Sequence, residues 1–291
     1  MANMLRFIYI SVFLLVGYSS AQAQQSAPED DAVTQVEAEE LARESIDLGA
    51  VEPKTFRAVN IAVVPSEWDA LIDLEFGGSY RRDAKTSYAT KGNRLVAFES
   101  FKSVSDLIYD INNVSEEQSI KAAFKESTGR SLGANKNNEP RLDVENRNVM
   151  LTGYIRAVKW VANEDQDFHV MICEGNMKDG HPCFTTEVSA LPKNGVRIND
   201  FRRARKELIA VMSDFVDETD PAKPLKPTNL KSKWAFFEPG IPVEVSGSLY
   251  LDAIHPPGSV GPRPSSKNSL DHTTPTAWEI HPVWSVRRLV E

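Results

Sequence analysis

The chain has 291 residues, of which 41% are apolar and 25% are charged, and its formal net charge is −8. This length exceeds that of a typical single domain, so one large or two small domains are expected. The acidic balance argues against a protein that binds the phosphate backbone of nucleic acids, and we expect no nucleic-acid partner.

Residues 1–23 are predicted to be a secretory signal peptide. Arg6 precedes an apolar run from Phe7 to Tyr18, and Ala21 and Ala23 supply the small residues of a cleavage site. The run is too short to span a bilayer, which requires about 20 apolar residues. We therefore expect a mature, periplasmic or secreted protein that has no transmembrane segment after leader cleavage. Without the leader the chain keeps 32 basic and 41 acidic residues, a net charge of −9.

Cys173 and Cys183 are the only two cysteines, and nine residues separate them. Outside the cytoplasm a pair at this spacing most often forms a disulfide, which we predict here. The alternative is a redox-active or metal-binding thiol pair. The spacing is too long for a C-x-x-C redox motif, and no further thiol exists to complete a zinc site.

The composition of the mature chain changes along its length and predicts four segments. These are an acidic flexible arm (24–53), an N-terminal α+β region (54–130), a linker (131–145) and a C-terminal β-rich domain (146–291). The arm has few large apolar residues, and the linker is rich in Gly, Asn and Lys. In the N-terminal region we expect strands over 56–64 and 94–101, a helix starting at Ser66, and helices over 103–111 and 115–124.

The C-terminal domain is predicted to contain five strands, with one helix between the third and the fourth. The strands are expected over 149–161, 168–173, 184–191, 241–251 and 278–289, and the helix over 200–216. Its apolar face is Phe201, Ala204, Leu208, Met212 and Phe215, while Arg202, Arg203, Arg205 and Lys206 are expected off that face. The fold class is therefore predicted to be α+β with a small OB-like β-barrel, a β-sandwich being the alternative. Gly153 and Gly247 are expected where the strands bend sharply.

Several short motifs resemble those of a group of small secreted bacterial domains whose function is uncharacterised. The matching residues are Thr152-Gly153, Asp167-Phe168-His169, the Val-x-Val-x-Gly strand Val243–Gly247, Asp252 with His255, and Glu279-Ile280-His281-Pro282-Val283. The resemblance covers the C-terminal half only, and it departs from the group in the proline-rich loop before the last strand. It implies an OB-like barrel and no particular activity.

Four polar residues near the C-terminus form the candidate metal or ligand site: Asp252, His255, Glu279 and His281. Glu279 and His281 are two residues apart in a predicted strand, so their side chains point to the same side. If the last two strands pair, two carboxylates and two imidazoles could bind a divalent metal or perform acid–base chemistry. The alternative is that they brace the long loop by hydrogen bonds. For Asp167 and His169 we expect a hydrogen bond rather than a catalytic pair.

The function predicted from these features is an extracytoplasmic binding or interaction module for an unknown protein or small-molecule ligand. The sequence has no G-x-S-x-G elbow, phosphate-binding loop or dinucleotide fingerprint. The alternative function is a metal-dependent hydrolase that uses the Asp/His/Glu/His set. We expect no cofactor, a divalent metal ion bound by that set being the alternative. The aromatic residues that could stack nucleic-acid bases on an OB-fold are expected in the core: Tyr154, Trp160, Phe168 and Tyr250.

Overall fold

The computed structural model describes residues 57–59, 64–78, 81–91, 94–114, 117–133, 139–163, 165–175, 181–195, 197–213, 225–262 and 274–290. The expected signal peptide and acidic arm lie outside these residues, as do the middle of the expected linker and residues 263–273 of the loop before the last strand. No helix among the described ranges is both long and apolar enough to cross a membrane.

Nine strands and six α-helices make up the described part of the chain. The strands are β1 (Arg57–Val59), β2 (Thr90–Lys91), β3 (Arg94–Leu95), β4 (Phe98–Phe101), β5 (Asn148–Trp160), β6 (Phe168–Cys173), β7 (Cys183–Val188), β8 (Ala235–Leu251) and β9 (Trp278–Val290). The helices are α1 (Asp69–Ile72), α2 (Arg82–Lys85), α3 (Val104–Val114), α4 (Glu117–Thr128), α5 (Ile198–Ser213) and α6 (Pro227–Leu230). Short 3₁₀ turns cover Ser66–Trp68 and Asp143–Glu145.

The strand pairing of the main sheet returns on itself. β5 pairs with β6, β6 with β7 and β8 with both β5 and β9, all antiparallel, while β7 and β9 pair in parallel. Each of these five strands therefore has two neighbours, and together they nearly close a ring. β1 adds to β9 and β4 adds to β5, which makes a seven-stranded sheet. The fold is mixed α+β.

Glycine permits a close approach of two strands where β8 bends. The register between β8 and β9 shifts on both sides of Gly247. A Cβ atom at this position would lie 2.5 Å from the Pro282 carbonyl oxygen and 2.9 Å from the Val283 Cα. Both are backbone atoms and cannot move aside cheaply, so the tight packing of β8 on β9 requires glycine here. Gly153 lies two residues before the bulge of β5, which falls between Ile155 and Ala157.

The apolar core lies on one face of the sheet, and helices pack around its edges. Phe168, Val170 and Ile172 of β6 belong to it, together with Ile280 of β9. Helix α5 packs against β9 and β7, and its predicted apolar residues Phe201, Ala204, Leu208 and Met212 are buried. Helix α3 covers β4, β5 and β7. The alternate residues Met171 and Cys173 of β6 and Cys183 of β7 belong to a separate apolar cluster, which packs against Trp234 and Phe236.

The predicted disulfide is confirmed. Cys173 ends β6 and Cys183 begins β7; the two residues are directly opposite in the strand register, with a Cα–Cα distance of 4.0 Å. The bridge lies in a small apolar cluster with Ala157 and Met171, on the face away from the main core. It ties the two strands together at the end opposite to His169.

The segments on both sides of the expected linker share the main sheet. Arg57–Val59 pairs with β9, and Phe98–Phe101 pairs with β5. The C-terminal part of the linker also carries buried contacts, because Glu145 is fully buried and receives two hydrogen bonds from Arg81. Lys54–Glu291 thus forms one compact unit.

Candidate functional site

The register of three strands brings two histidines and two glutamates to one face of the sheet. His169 of β6 lies opposite Glu187 of β7, and Thr185 of β7 lies opposite Glu279 of β9. Alternate residues of a strand share a face, so Glu187 lies on the Thr185 side and His281 on the Glu279 side. This face is turned away from the main apolar core, which contains the intervening residues Phe168, Val170, Val188 and Ile280.

The carboxylate of Glu187 lies between two imidazole rings. Its Oε1 is 3.0 Å from His169 Nε2, and its Oε2 is 2.7 Å from His281 Nδ1. Two further carboxylates flank this arrangement. Asp167 Oδ1 is 3.6 Å from His169 Nε2, and Glu279 Oε2 is 3.8 Å from His281 Nδ1. We call these five residues, Asp167, His169, Glu187, Glu279 and His281, the Glu187 cluster.

The Glu187 cluster is buried, and part of its hydrogen-bonding capacity is unused. Asp167, Glu279 and His281 are at most 2% exposed, while the His169 side chain retains 16% exposure. Both carboxylate oxygens of Asp167, Glu279 Oε1 and His281 Nε2 form no hydrogen bond with any residue that the structure describes. Each buried polar group left unsatisfied costs about 1–3 kcal/mol, so these atoms are available to a ligand that would satisfy them.

Burial and mutual charge shift the pKa values within the cluster in opposite directions. Burial alone would raise the pKa of Glu187, but the charges of His169 and His281 hold it well below its usual value. Burial, reinforced by the charge of Glu187, raises the pKa of Glu279 well above its usual value. Burial would lower the pKa of His169, yet Glu187 and Asp167 outweigh it and raise that pKa to about 10. At neutral pH the metal-free cluster therefore contains an ionised Glu187 and a protonated His169, while burial makes Glu279 favour its neutral form.

Helix α2 places a lysine beside the cluster. Lys85 Nζ lies 3.0 Å from Asp165 Oδ2, and the lysine side chain is 12% exposed. Burial alone would lower the pKa of Lys85, but Tyr250 and the surrounding carboxylates raise it well above its usual value. The ammonium is therefore charged, and it partly offsets the carboxylate charges of Glu187 and Asp167.

A second layer of arginine contacts fixes the ring of His281. Arg81 forms a bidentate pair with Glu145, with both N–O distances at 2.7 Å, and its guanidinium lies 4.8 Å from the centre of the Tyr250 ring. The Tyr250 ring in turn lies 5.3 Å from the His281 ring. Arg141 donates a hydrogen bond of 3.0 Å to the His281 carbonyl. Arg81 thus contacts His281 indirectly, through the Tyr250 ring, and Arg141 contacts its backbone carbonyl.

The position of Asp167 depends on a buried arginine of helix α5. The prediction that Arg205 lies off the buried face of this helix is wrong, because Arg205 is fully buried. Its Nη1 donates to the Gln166 carbonyl at 3.0 Å and its Nε to the Leu71 carbonyl at 2.8 Å. The guanidinium also packs on the Phe168 ring, 4.8 Å from its centre. These contacts hold the chain on both sides of Asp167.

The four residues selected from the sequence form two pairs in the structure. Glu279 and His281 belong to the Glu187 cluster. Asp252 and His255 hydrogen-bond to each other through Asp252 Oδ2 and His255 Nδ1, and the His255 side chain is 53% exposed. Asp252 acts on the cluster only through its charge, which contributes to the raised pKa of Glu279. Among the described residues, the groups of His, Asp and Glu side chains that lie close enough together to bind one metal ion include neither Asp252 nor His255.

Sequence reasoning missed Glu187, which is the nearer carboxylate partner of His169. The close contact of His169 is Glu187 across the β6–β7 pair at 3.0 Å, whereas Asp167 is 3.6 Å away. The available signal was the position of Glu187 as a lone acidic residue in a strand of otherwise uncharged residues. Such a residue requires a charged partner when it is buried.

The aromatic residues considered as a base-stacking surface contribute little exposed area. Phe168 and Tyr250 are fully buried, and Tyr154 and Trp160 are half-buried.

No protein-family model matches the chain, and no curated protein and no solved structure is significantly similar to it.

Proposed function

We propose that this protein is an extracytoplasmic binding module and that the ligand of its Glu187 cluster is a divalent transition-metal ion such as zinc. The observation that carries the proposal is the position of the Glu187 carboxylate between two imidazoles, 3.0 Å from His169 Nε2 and 2.7 Å from His281 Nδ1. Imidazole nitrogens and carboxylate oxygens are donors that Zn²⁺ and related ions prefer.

The spacing of the donor atoms supports a metal ion. A tetrahedral zinc ion with bonds of about 2.1 Å separates its donor atoms by about 3.4 Å. The four donor distances within the cluster are 2.7, 3.0, 3.6 and 3.8 Å. These distances lie on both sides of that value, and the donor atoms within each group of three side chains all lie within 4.8 Å of one another. An ion would engage the oxygens of Asp167 and Glu279 that have no hydrogen-bond partner among the described residues.

Burial favours binding over metal-dependent hydrolysis. Catalytic zinc sites keep an open position for water and substrate, whereas structural sites are closed. Within the described part of the chain, His281 and Glu279 lie beneath the segments around Arg81 and Arg141 and are at most 2% exposed. Among the described residues of the cluster, His169 is the most exposed, with 16% of its side chain accessible.

We also propose that the fold is an OB-like barrel and that the protein is periplasmic or secreted. The ring of five strands, with helix α5 between its third and fourth members, supports an OB-like barrel. The Cys173–Cys183 disulfide supports a periplasmic or secreted location, because such bonds persist in oxidising compartments. The polar face of the barrel would then be the site at which the ion is held.

The proposal is tested by titrating the chelator-treated full chain with Zn²⁺ in a calorimeter, next to the variants Glu187→Gln and Glu117→Gln. Glu187→Gln removes the charge but keeps the shape of the side chain, and we expect it to weaken binding at least 100-fold. Glu117→Gln changes a glutamate of helix α4 that pairs only with Lys121 on the surface, so its affinity should equal that of the wild type.

Two outcomes would contradict the proposal: a wild-type chain that binds no Zn²⁺, or a Glu187→Gln variant that binds it equally well. The zinc-loaded protein should also leave generic ester, phosphodiester and peptide substrates intact. If the protein hydrolyses any of these substrates and Glu187→Gln abolishes that hydrolysis, the protein is a metal-dependent hydrolase rather than a binding module.

A further inference from the structure

We infer that the Glu187 cluster holds two metal ions, with the carboxylate of Glu187 bridging them. The inference rests on the proposed function and specifies it. One ion would be bound by Asp167, His169 and Glu187 Oε1. The other would be bound by His281, Glu279 and Glu187 Oε2.

The donor atoms of the described residues fall into two sets that share Glu187. The first set contains Asp167, His169 and Glu187, and the second contains Glu187, Glu279 and His281; within each set all donor atoms lie within 4.8 Å of one another. Neither set contains both imidazoles. A tetrahedral ion separates its donor atoms by about 3.4 Å. No group of described donor atoms within 4.8 Å of one another contains both imidazoles, so a single ion would not reach both histidines in this arrangement.

The two oxygens of Glu187 are already directed to different sets. Oε1 lies 3.0 Å from His169 Nε2, and Oε2 lies 2.7 Å from His281 Nδ1. A carboxylate in this position can bridge two ions, and the ions of two-metal sites lie about 3.5–4 Å apart. The strand register maintains the arrangement, since His169 and Glu187 are direct neighbours across β6 and β7.

The surrounding charge fits more than one cation. Asp167, Glu187 and Glu279 supply three carboxylates, and Asp252 adds a fourth whose charge reaches Glu279. Asp165 lies close by, although Lys85 pairs with it at 3.0 Å. Metal binding requires an unprotonated His169 and ionised carboxylates, and one divalent ion would offset only two of the three carboxylate charges of the cluster.

The number of bound ions tests the inference. Elemental analysis of the zinc-loaded full chain after removal of excess metal should find two ions per chain in the wild type. The variants His169→Ala and His281→Ala should each retain one ion, and Glu187→Gln should lose at least 100-fold in affinity for both. His181→Ala is the matched control, because His181 is an exposed histidine outside the cluster, and it should retain two ions.

The distance between the ions provides a second test that needs no variant. The wild-type chain loaded with Mn²⁺ should show the spin-coupled electron paramagnetic resonance spectrum of two ions about 4 Å apart. One ion per chain, with an uncoupled spectrum, would overturn the bridged pair while leaving the proposed function intact. No bound ion in either experiment would overturn the proposed function itself.

Discussion

Arg205 satisfies three backbone carbonyls in the buried layer between helix α5 and the sheet. Its Nε donates to the Leu71 carbonyl at 2.8 Å. Its Nη1 donates to the Gln166 carbonyl at 3.0 Å and to the Val188 carbonyl at 3.4 Å. The fork of five N–H groups allows one side chain to serve all three acceptors. This residue therefore links helix α1, the turn before β6 and the end of β7.

Replacement of this fork by a single ammonium should be costly. We expect Arg205→Lys to lower the free energy of unfolding by about 2–4 kcal/mol, since each buried carbonyl left without a donor costs about 1–3 kcal/mol. The control is Arg202→Lys, which changes a partly exposed arginine paired with Asp73 and should cost at most about 1 kcal/mol. Urea denaturation measures both changes, and equal losses would show that the buried contacts of Arg205 contribute nothing specific.

Glu207 of helix α5 gives a pH-dependent prediction. Burial raises the pKa of this carboxyl, against the hydrogen bond from Val286 and the charge of Arg203. A raised pKa in the folded state means that the folded protein favours the neutral form. The ionised carboxylate is then destabilising above the folded pKa, and the penalty vanishes below the unfolded value of about 4.3.

Glu207→Gln should therefore raise the free energy of unfolding at pH 7 and leave it unchanged near pH 4. The amide oxygen can still accept the Val286 N–H hydrogen bond, which has an N–O distance of 2.9 Å with Glu207 Oε2. Urea denaturation at the two pH values measures the difference from the wild type. Glu67→Gln, at an exposed position, is the control and should show no such pH dependence. A gain at both pH values would contradict a role for the carboxylate charge.

At the residue scale the sequence predicted two of the five members of the Glu187 cluster as metal ligands. Glu279 and His281 were found because alternate residues of one strand share a face. Glu187 was not found because its partners come from two other strands, and the register between strands is set by contacts that are distant in the sequence. The buried state of Arg205 was missed because a helical period places arginine near the edge of the apolar face without showing which carbonyls lie beyond it.

Strand β9 is the element on which the ring depends most. It pairs with β8 along most of its length, with β7 in parallel and with β1 at its end. It also supplies the buried side chains Trp278, Ile280, Val283 and Val286. Burial of each side chain of this size contributes about 1.5–3 kcal/mol before entropic costs, so the strand carries a large part of the stabilising free energy.

Truncation after Thr276 should give an aggregated or unfolded product, because the edges of β7 and β8 would lose their partner. Deletion of residues 24–51, which lie outside the described residues, should leave a folded protein. Circular dichroism with a thermal melt compares the two shortened chains. A cooperative melt of the C-terminal truncation would show that the ring does not require its closing strand.

The disulfide stabilises the β6–β7 pair and is open to direct measurement. Free-thiol titration of the denatured, unreduced protein should detect essentially no thiol. The double variant Cys173→Ser and Cys183→Ser should lose about 2–3 kcal/mol of unfolding free energy, since the bridge joins two residues with a sequence separation of 10. Two titratable thiols in the protein purified without reductant would contradict the bridge in solution.

Elements with a clear hydrophobic period were predicted closely from the sequence. β6 was predicted over 168–173 and spans Phe168–Cys173, and the helix predicted over 200–216 spans Ile198–Ser213 in the described residues. β8 begins at Ala235, six residues before its predicted start. Pro239 and Gly240 interrupt the alternating pattern there, so the local sequence resembles a turn rather than a strand.

At the scale of the whole molecule, the association of the N-terminal segments with the main sheet was not predictable from local patterns. β1 and β4 join strands that lie far away in the sequence, and Arg81 pairs with Glu145 across the segment interpreted as a linker. The polarity of residues 131–145 indicated solvent exposure, yet Glu139 and Glu145 are buried. Arg81 and Arg141 from these segments contact Tyr250 and the His281 carbonyl beside the Glu187 cluster.

The central claim of this account is that the Glu187 cluster binds divalent metal ions. Crystals of the zinc-loaded protein, measured on both sides of the zinc absorption edge, test it most directly by an anomalous difference map. We predict a peak about 2.0–2.2 Å from a Glu187 carboxylate oxygen and from an imidazole nitrogen of His169 or His281. A map with zinc peaks elsewhere but none beside Glu187 would contradict the claim.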